Sequence, residues 1–196
     1  MTFESCSLGT ETARAVGRAL GDGKFPSLTH FSLHGNSAVG DEGVAVLAMG
    51  LRVAPRTRLV GLDMGKVCMT EVGVDAFVSL LGHGVLWRLE SLSLSQNEIP
   101  EKGALALTCV LIRGVGLPAL RRLKLGRVKK MDETRLVMLA VALTQCPRLQ
   151  KWDMDSGDEF LMSDYKGEED RPYKIMQGIR AILRSSRSDE MKVEVI

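Results

Sequence analysis

The stretch LESLSLSQN at residues 89–97 sets leucines at 89, 92 and 94 and an asparagine at 97. Its leucines alternate with serines at the end, the pattern of a short strand with one buried face. Working outward, the same spacing returns as Leu28‑Phe31‑Leu33‑Asn36, Leu59‑Leu62‑Met64‑Val67 and Leu120‑Leu123‑Leu125‑Val128. A fifth copy begins Leu149‑Trp152‑Met154 and then loosens. The starts fall at 28, 59, 89, 120 and 149. Self-similarity at such a period decides the architecture before local propensity does.

After each strand pattern the apolar residues move to a spacing of three and four. Val44, Leu47 and Leu51 form one stripe; Val74, Phe77, Val78 and Leu81 form another. Helices are therefore expected over Asp41–Val53, Glu71–Leu81, Glu101–Ile112 and Glu133–Thr144, and before them over Thr10–Leu20. Asp41, Thr70 and Asp132 read as their caps. Strand plus helix, repeated, predicts an α/β right-handed solenoid with parallel strands on a concave face and helices on a convex one. Asn36 and Asn97 sit eight residues after the first leucine of their units, where a buried amide can bond the turning backbone. Gly43, Gly73 and Gly103 follow, with Thr134 in the corresponding place of the fourth unit; a small residue there is expected to let the helix approach the strands.

On these residues the chain resembles the leucine-rich repeat proteins of the long-repeat, ribonuclease-inhibitor-like class. That class also holds the Ran GTPase-activating protein, tropomodulin and the sensor domains of NOD-like receptors. The resemblance covers residues 1–157 and implies a horseshoe segment. It departs at Val67 and Val128, where Asn or Cys is usual; valine supplies no amide, so those turns must be satisfied otherwise.

The ends differ from the middle. Aligning Thr12 with the glycine position places Cys6 at the asparagine position and Met1 and Phe3 on a partial first strand. Upstream repeats or a partner are expected to cover it, because terminal repeats need a polar cap. Residues 158–196 read as a C-terminal cap. They comprise an acidic loop, an amphipathic helix with Ile175, Ile179, Ile182 and Leu183, and a short strand through Met191, Val193 and Val195.

Composition narrows the class of function. The net charge of +2 gives no global field toward nucleic acid or membranes. The opening MTFESCSLGTETAR lacks the basic and apolar regions of a leader. The longest apolar runs are too short to span a bilayer, so no membrane insertion is expected. Cys6, Cys68, Cys109 and Cys146 stand in no metal-type spacing and read as reduced, buried thiols of an intracellular, cytoplasmic protein. Gly21‑Asp22‑Gly23‑Lys24 more simply ends a helix than cradles phosphate. His30 and His34 are roughly 13 Å apart by strand rise, too far to share one ion. No catalytic set, metal, cofactor or small-molecule substrate is expected.

Strand alternation puts His30, Ser32 and His34, then Gly61, Asp63 and Gly65, then Ser91, Ser93 and Ser95 on the concave face. Arg122, Lys124 and Gly126 follow, then Lys151, Asp153 and Asp155. Residues 121–130 hold six basic residues and no acidic one, namely Arg121, Arg122, Lys124, Arg127, Lys129 and Lys130. Residues 151–170 hold eight acidic and two basic residues. Two readings stand: the stripe is neutralised by that loop, or it holds an acidic partner segment. RNA is disfavoured, because no aromatics interleave the basic residues to stack bases. Phe160 and Tyr165 in the loop either pack over the last unit or anchor a partner.

The functional expectation is a non-catalytic protein–protein interaction module, a scaffold or a subunit of a larger complex. The partner-binding candidates are the six basic residues with His30, His34, Asp63, Ser93, Ser95, Phe160 and Tyr165. The alternatives are a regulator of a small GTPase resembling the Ran GTPase-activating protein, which rests on the repeat class alone, and an RNA-contacting subunit.

Overall fold

A computed structural model of the chain describes residues 1–54, 57–113, 116–125, 127–128, 139, 148–154 and 194–195. Within them the fold is mixed α/β. Strands β1 (His30–Ser32), β2 (Gly61–Asp63), β3 (Ser91–Ser93), β5 (Arg122–Leu125), β7 (Lys151–Met154) and β8 (Glu194–Val195) form a parallel sheet in that order. β4 (Glu98–Ile99) and β6 (Arg127–Val128) form a second, two-stranded parallel sheet. Helices α1 (Thr10–Gly21), α2 (Gly40–Val53), α3 (Glu71–Gly82) and α4 (Glu101–Arg113) pack neighbour to neighbour in chain order. They lie within a residue or two of the stripes that predict them. The helix expected over Glu133–Thr144 falls outside the described residues except at Leu139, which is helical and buried.

The sheet is extended at its first edge by the residues that read as a partial strand. Thr2 bridges Ser32 in parallel, Phe3 N donates to Ser32 O at 3.0 Å, and Ser5 N donates to His34 O at 2.9 Å. One continuous core runs beneath: Phe31, Leu62, Leu92 and Leu123 from the strands, with Val44, Leu47, Phe77 and Leu107 from the helices. The α1 end follows its sequence reading. Gly23 takes φ +69°, its N–H donates to Leu20 O, and Lys24 N donates to Ala19 O, which closes the helix in a Schellman turn.

The asparagines are fully buried, and each bonds the turn of the preceding unit as well as its own. Asn97 Oδ1 accepts from Val67 N and Met69 N, each at 3.1 Å. Its amide nitrogen donates to Met64 O at 2.7 Å and Leu94 O at 3.1 Å. Asn36 repeats this two units earlier, accepting from Cys6 N and Leu8 N. In each case the residue between the two donors, Ser7 (φ 54°) or Cys68 (φ 57°), is left-handed, which aims both N–H groups at one oxygen. Valine at 67 therefore does not deprive its own turn, which Asn97 completes. The turn left without an amide is the one before it, and it closes through backbone bonds: Ser37–Val39 forms a 3‑10 turn, and Gly40 N reaches across to Val67 O of the next unit at 3.0 Å. Ahead of Val128 the corresponding turn, Glu98–Ile99, pairs as β4 with β6.

Three expectations need correction. Gly43, Gly73 and Gly103 face the preceding helix more than the strands: a Cβ on Gly43 would lie 3.1 Å from Ala13 Cβ, and one on Gly103 would lie 2.5 Å from Val74 Cγ1. Asp41 does not cap α2, which starts at Gly40. It caps the next helix instead, accepting from Thr70 N at 2.7 Å and Gly73 N at 3.0 Å. Finally, Cys6, Cys68 and Cys109 are exposed and unpaired. Cys6 and Cys68 ride on turns whose N–H groups point inward, and Cys109 lies off the Ala104–Leu107–Leu111 stripe of α4. Cys146 and Asp132 lie outside the described residues.

Candidate protein-binding face

In-register pairing converts the repeat into rows. One row across the strands is His30, Gly61, Ser91 and Arg122; the next is Ser32, Asp63, Ser93 and Lys124. His34, Gly65 and Ser95 lie two residues further on. Because strand side chains alternate, these positions oppose the buried Phe31, Leu62, Leu92 and Leu123. All of the row residues but Gly65 line an open groove of about 560 Å³ on the sheet face away from the core. His30, His34, Asp63, Ser93, Ser95, Arg122 and Lys124 are thus brought onto one surface, with Thr2, Glu4 and Gln96 completing the wall.

Glycines shape that surface. Gly61 and Gly65 flank Asp63 on β2, and the two imidazoles from the first unit lean into the space they leave. A Cβ on Gly61 would fall 2.6 Å from His30 Cδ2. A Cβ on Gly65 would collide with His34 Nδ1 and lie 2.8 Å from Ser95 Oγ and 3.0 Å from Asp63 Oδ1. His34 Nδ1 stands 3.6 Å from Asp63 Oδ1, which also accepts the Gly65 N–H at 2.8 Å. Ser93 Oγ and Ser95 Oγ are 3.1 Å apart, and Ser32 Oγ donates to Glu4 Oε1 at 3.3 Å. The groove is therefore shallow and polar, with short side chains already held by neighbours. Among the described residues no group of three His, Cys, Asp or Glu is placed to hold a metal ion.

The basic stripe does not act as one unit. Arg122 and Lys124 are exposed on the groove, whereas Arg121 is absent from its lining and pairs with Glu90, its Nε 3.4 Å from Glu90 Oε2. Arg127 belongs to β6, in the other sheet. Lys129, Lys130, Phe160 and Tyr165 lie outside the described residues. Glu4 and Thr2 were not singled out from the sequence, although the same alternation carried one unit back toward Met1 points to both. Among the described residues no helix is long and apolar enough to cross a membrane.

No protein-family model matches the chain, and no curated protein sequence matches it. Among solved structures it is similar to one titled leiomodin‑1 actin-binding site 2 (ABS2). The likeness has a TM-score of 0.61 at 15% sequence identity and covers 91% of this chain and 98% of that one. At that identity the likeness is one of fold.

Proposed function

We propose that the chain is a leucine-rich repeat module, a right-handed solenoid segment that is non-catalytic and binds a protein partner as a scaffold or subunit of a larger assembly. The observation that carries this reading is the in-register polar groove across β1, β2, β3 and β5. Apart from Arg122 and Lys124, its side chains are mostly short or already bonded, so little rotamer entropy is lost when a partner covers them. A broad open face also suits a macromolecular surface better than a small molecule, which prefers an enclosed, mostly apolar site. The leiomodin‑1 structure, titled as an actin-binding site, offers a protein-binding precedent on a similar fold, by analogy alone. Three exposed, unpaired cysteines fit a reducing, intracellular setting.

The test is affinity purification of the full chain followed by mass spectrometry, run beside Ser93→Trp. Indole at the centre of the groove should remove the stoichiometric partner while leaving the fold intact. A partner retained equally by both proteins would place binding elsewhere and overturn the reading.

A further inference from the structure

The groove is electrically divided. Its β1–β2 half carries the carboxylates of Glu4 and Asp63, and its β5 end carries Arg122 and Lys124. Between them β3 offers only the hydroxyls of Ser91, Ser93 and Ser95. Among the described side chains neither Arg122 nor Lys124 makes an ion pair, while Arg121 beside them is held by Glu90. In its row Arg122 is in register with Ser91 of β3, which brings no carboxylate.

Distance sets what can span this division. Asp63 and Lys124 share a row two strands apart, or about 10 Å at the usual inter-strand spacing. A polyproline-II-like extended chain rises about 3.1 Å per residue with three residues per turn, so side chains three residues apart share one face and stand about 9 Å apart, enough to cover that gap. Serine hydroxyls both donate and accept, which suits the alternating N–H and C=O groups of a backbone laid across them. Gly61 and Gly65 lower the wall beside Asp63 and let such a backbone approach.

We propose that the groove takes an extended, charge-paired segment of a partner protein, with a basic side chain at Asp63 and an acidic side chain about three residues away at Arg122 and Lys124. The inference rests on the groove being a protein-binding face, and it names the chemistry of the segment bound there. Nucleic acid fits less well: the carboxylates of Glu4 and Asp63 would repel phosphates, and the groove's described lining offers no Trp, Tyr or exposed Phe, with imidazoles as its ring faces and that of His34 held against Asp63.

The experiment titrates the full ¹⁵N-labelled chain with three synthetic 12-residue peptides. They share neutral flanks and differ in one Lys‑x‑x‑Glu, Lys‑x‑x‑Lys or Glu‑x‑x‑Glu element, and a single-stranded 12-nucleotide RNA serves as the fourth ligand. The Lys‑x‑x‑Glu peptide should shift the amides of Ser91, Ser93 and Lys124 and bind roughly tenfold tighter than either like-charged peptide, as one charge-assisted contact predicts. Arg122→Glu with Lys124→Glu, on an exposed rim that does not support the core, should switch the preference to Lys‑x‑x‑Lys. Equal binding of all three peptides at the groove amides overturns the charge pairing and leaves the protein-binding face standing. Tightest binding by RNA, or no shift from any peptide, also overturns the proposal. Peptide-induced shifts confined to residues outside the groove would bring down the protein-binding reading itself.

Discussion

Asn97 completes the turn that contains Val67, thirty residues before it: one side-chain oxygen takes the N–H groups of Val67 and Met69, both at 3.1 Å. The two donors and the amide are buried, so no water replaces the bond when it is lost. Asn97→Ala would orphan both N–H groups, each worth about 1–3 kcal/mol when left buried and unpaired. The expected loss is about 3 kcal/mol in urea unfolding, with the slope of the transition unchanged. Asn36→Ala should cost less, because Cys6 and Leu8 lie in an exposed or half-buried segment that water can reach. Equal losses at the two sites would contradict this account.

The same relationship inverts an obvious piece of protein engineering. Position 67 holds valine where Asn36 and Asn97 stand in their units, so Val67→Asn looks like a repair. The turn that a new amide would face, Ser37–Val39, is already satisfied by backbone, with Val39 N donating to Asn36 O at 3.0 Å and Gly40 N to Val67 O at 3.0 Å. The introduced amide would be buried where Val67 is completely covered, with few free partners. Val67→Asn should therefore destabilise by about 1–3 kcal/mol, the usual cost of burying an unpaired polar group. A rise in thermal midpoint would show that the 3‑10 turn yields to the amide.

Helix spacing gives a third expectation. Gly17 on α1 and Gly50 on α2 let the two backbones touch: a Cβ on Gly50 would overlap the Gly17 carbonyl. Backbone atoms cannot rotate away as a flexible side chain can, so Gly50→Ala must push the helices apart. The expected loss is about 2 kcal/mol, in the range for overpacking a tight interior. Gly82 ends α3 in open space, where an added methyl would meet nothing within 4 Å, and Gly82→Ala should be neutral or stabilise by up to about 1 kcal/mol. Thermal unfolding of the pair, measured side by side, checks the contrast.

What can be read from the chain follows from the range of each interaction. Helix stripes such as Val44–Leu47–Leu51 and strand alternation such as Leu92–Ser93–Leu94 are local, and both emerge where the spacing puts them. The groove is legible for the same reason, since a constant period brings Ser32, Asp63, Ser93 and Lys124 into register. Bonds between units are not legible. Asn97 reads as bonding its own turn alone and Asp41 as capping its own helix, because sequence shows what lies beside them and not what lies a unit away. The basic stripe misleads differently: Arg121 and Arg122 are adjacent, but strand alternation sends only Arg122 to the groove.

Asp41 provides the last expectation. From the first turn of α2 its carboxylate caps α3, accepting from Thr70 N, Gly73 N and the Thr70 hydroxyl at 2.7, 3.0 and 2.5 Å. Thr70 itself makes no side-chain cap, so Asp41 is the group that satisfies the opening N–H groups of α3 and meets the positive end of its dipole. Asp41→Ala should cost about 1 kcal/mol, as loss of a helix cap does. Asp41→Asn should cost less, because one oxygen still accepts from both N–H groups. The effect should appear at a distance in sequence: hydrogen exchange at the Gly73 amide should accelerate in Asp41→Ala, while the Leu47 and Leu51 amides inside α2 keep their protection. Faster exchange throughout α2 with Gly73 unchanged would show that Asp41 serves its own helix after all.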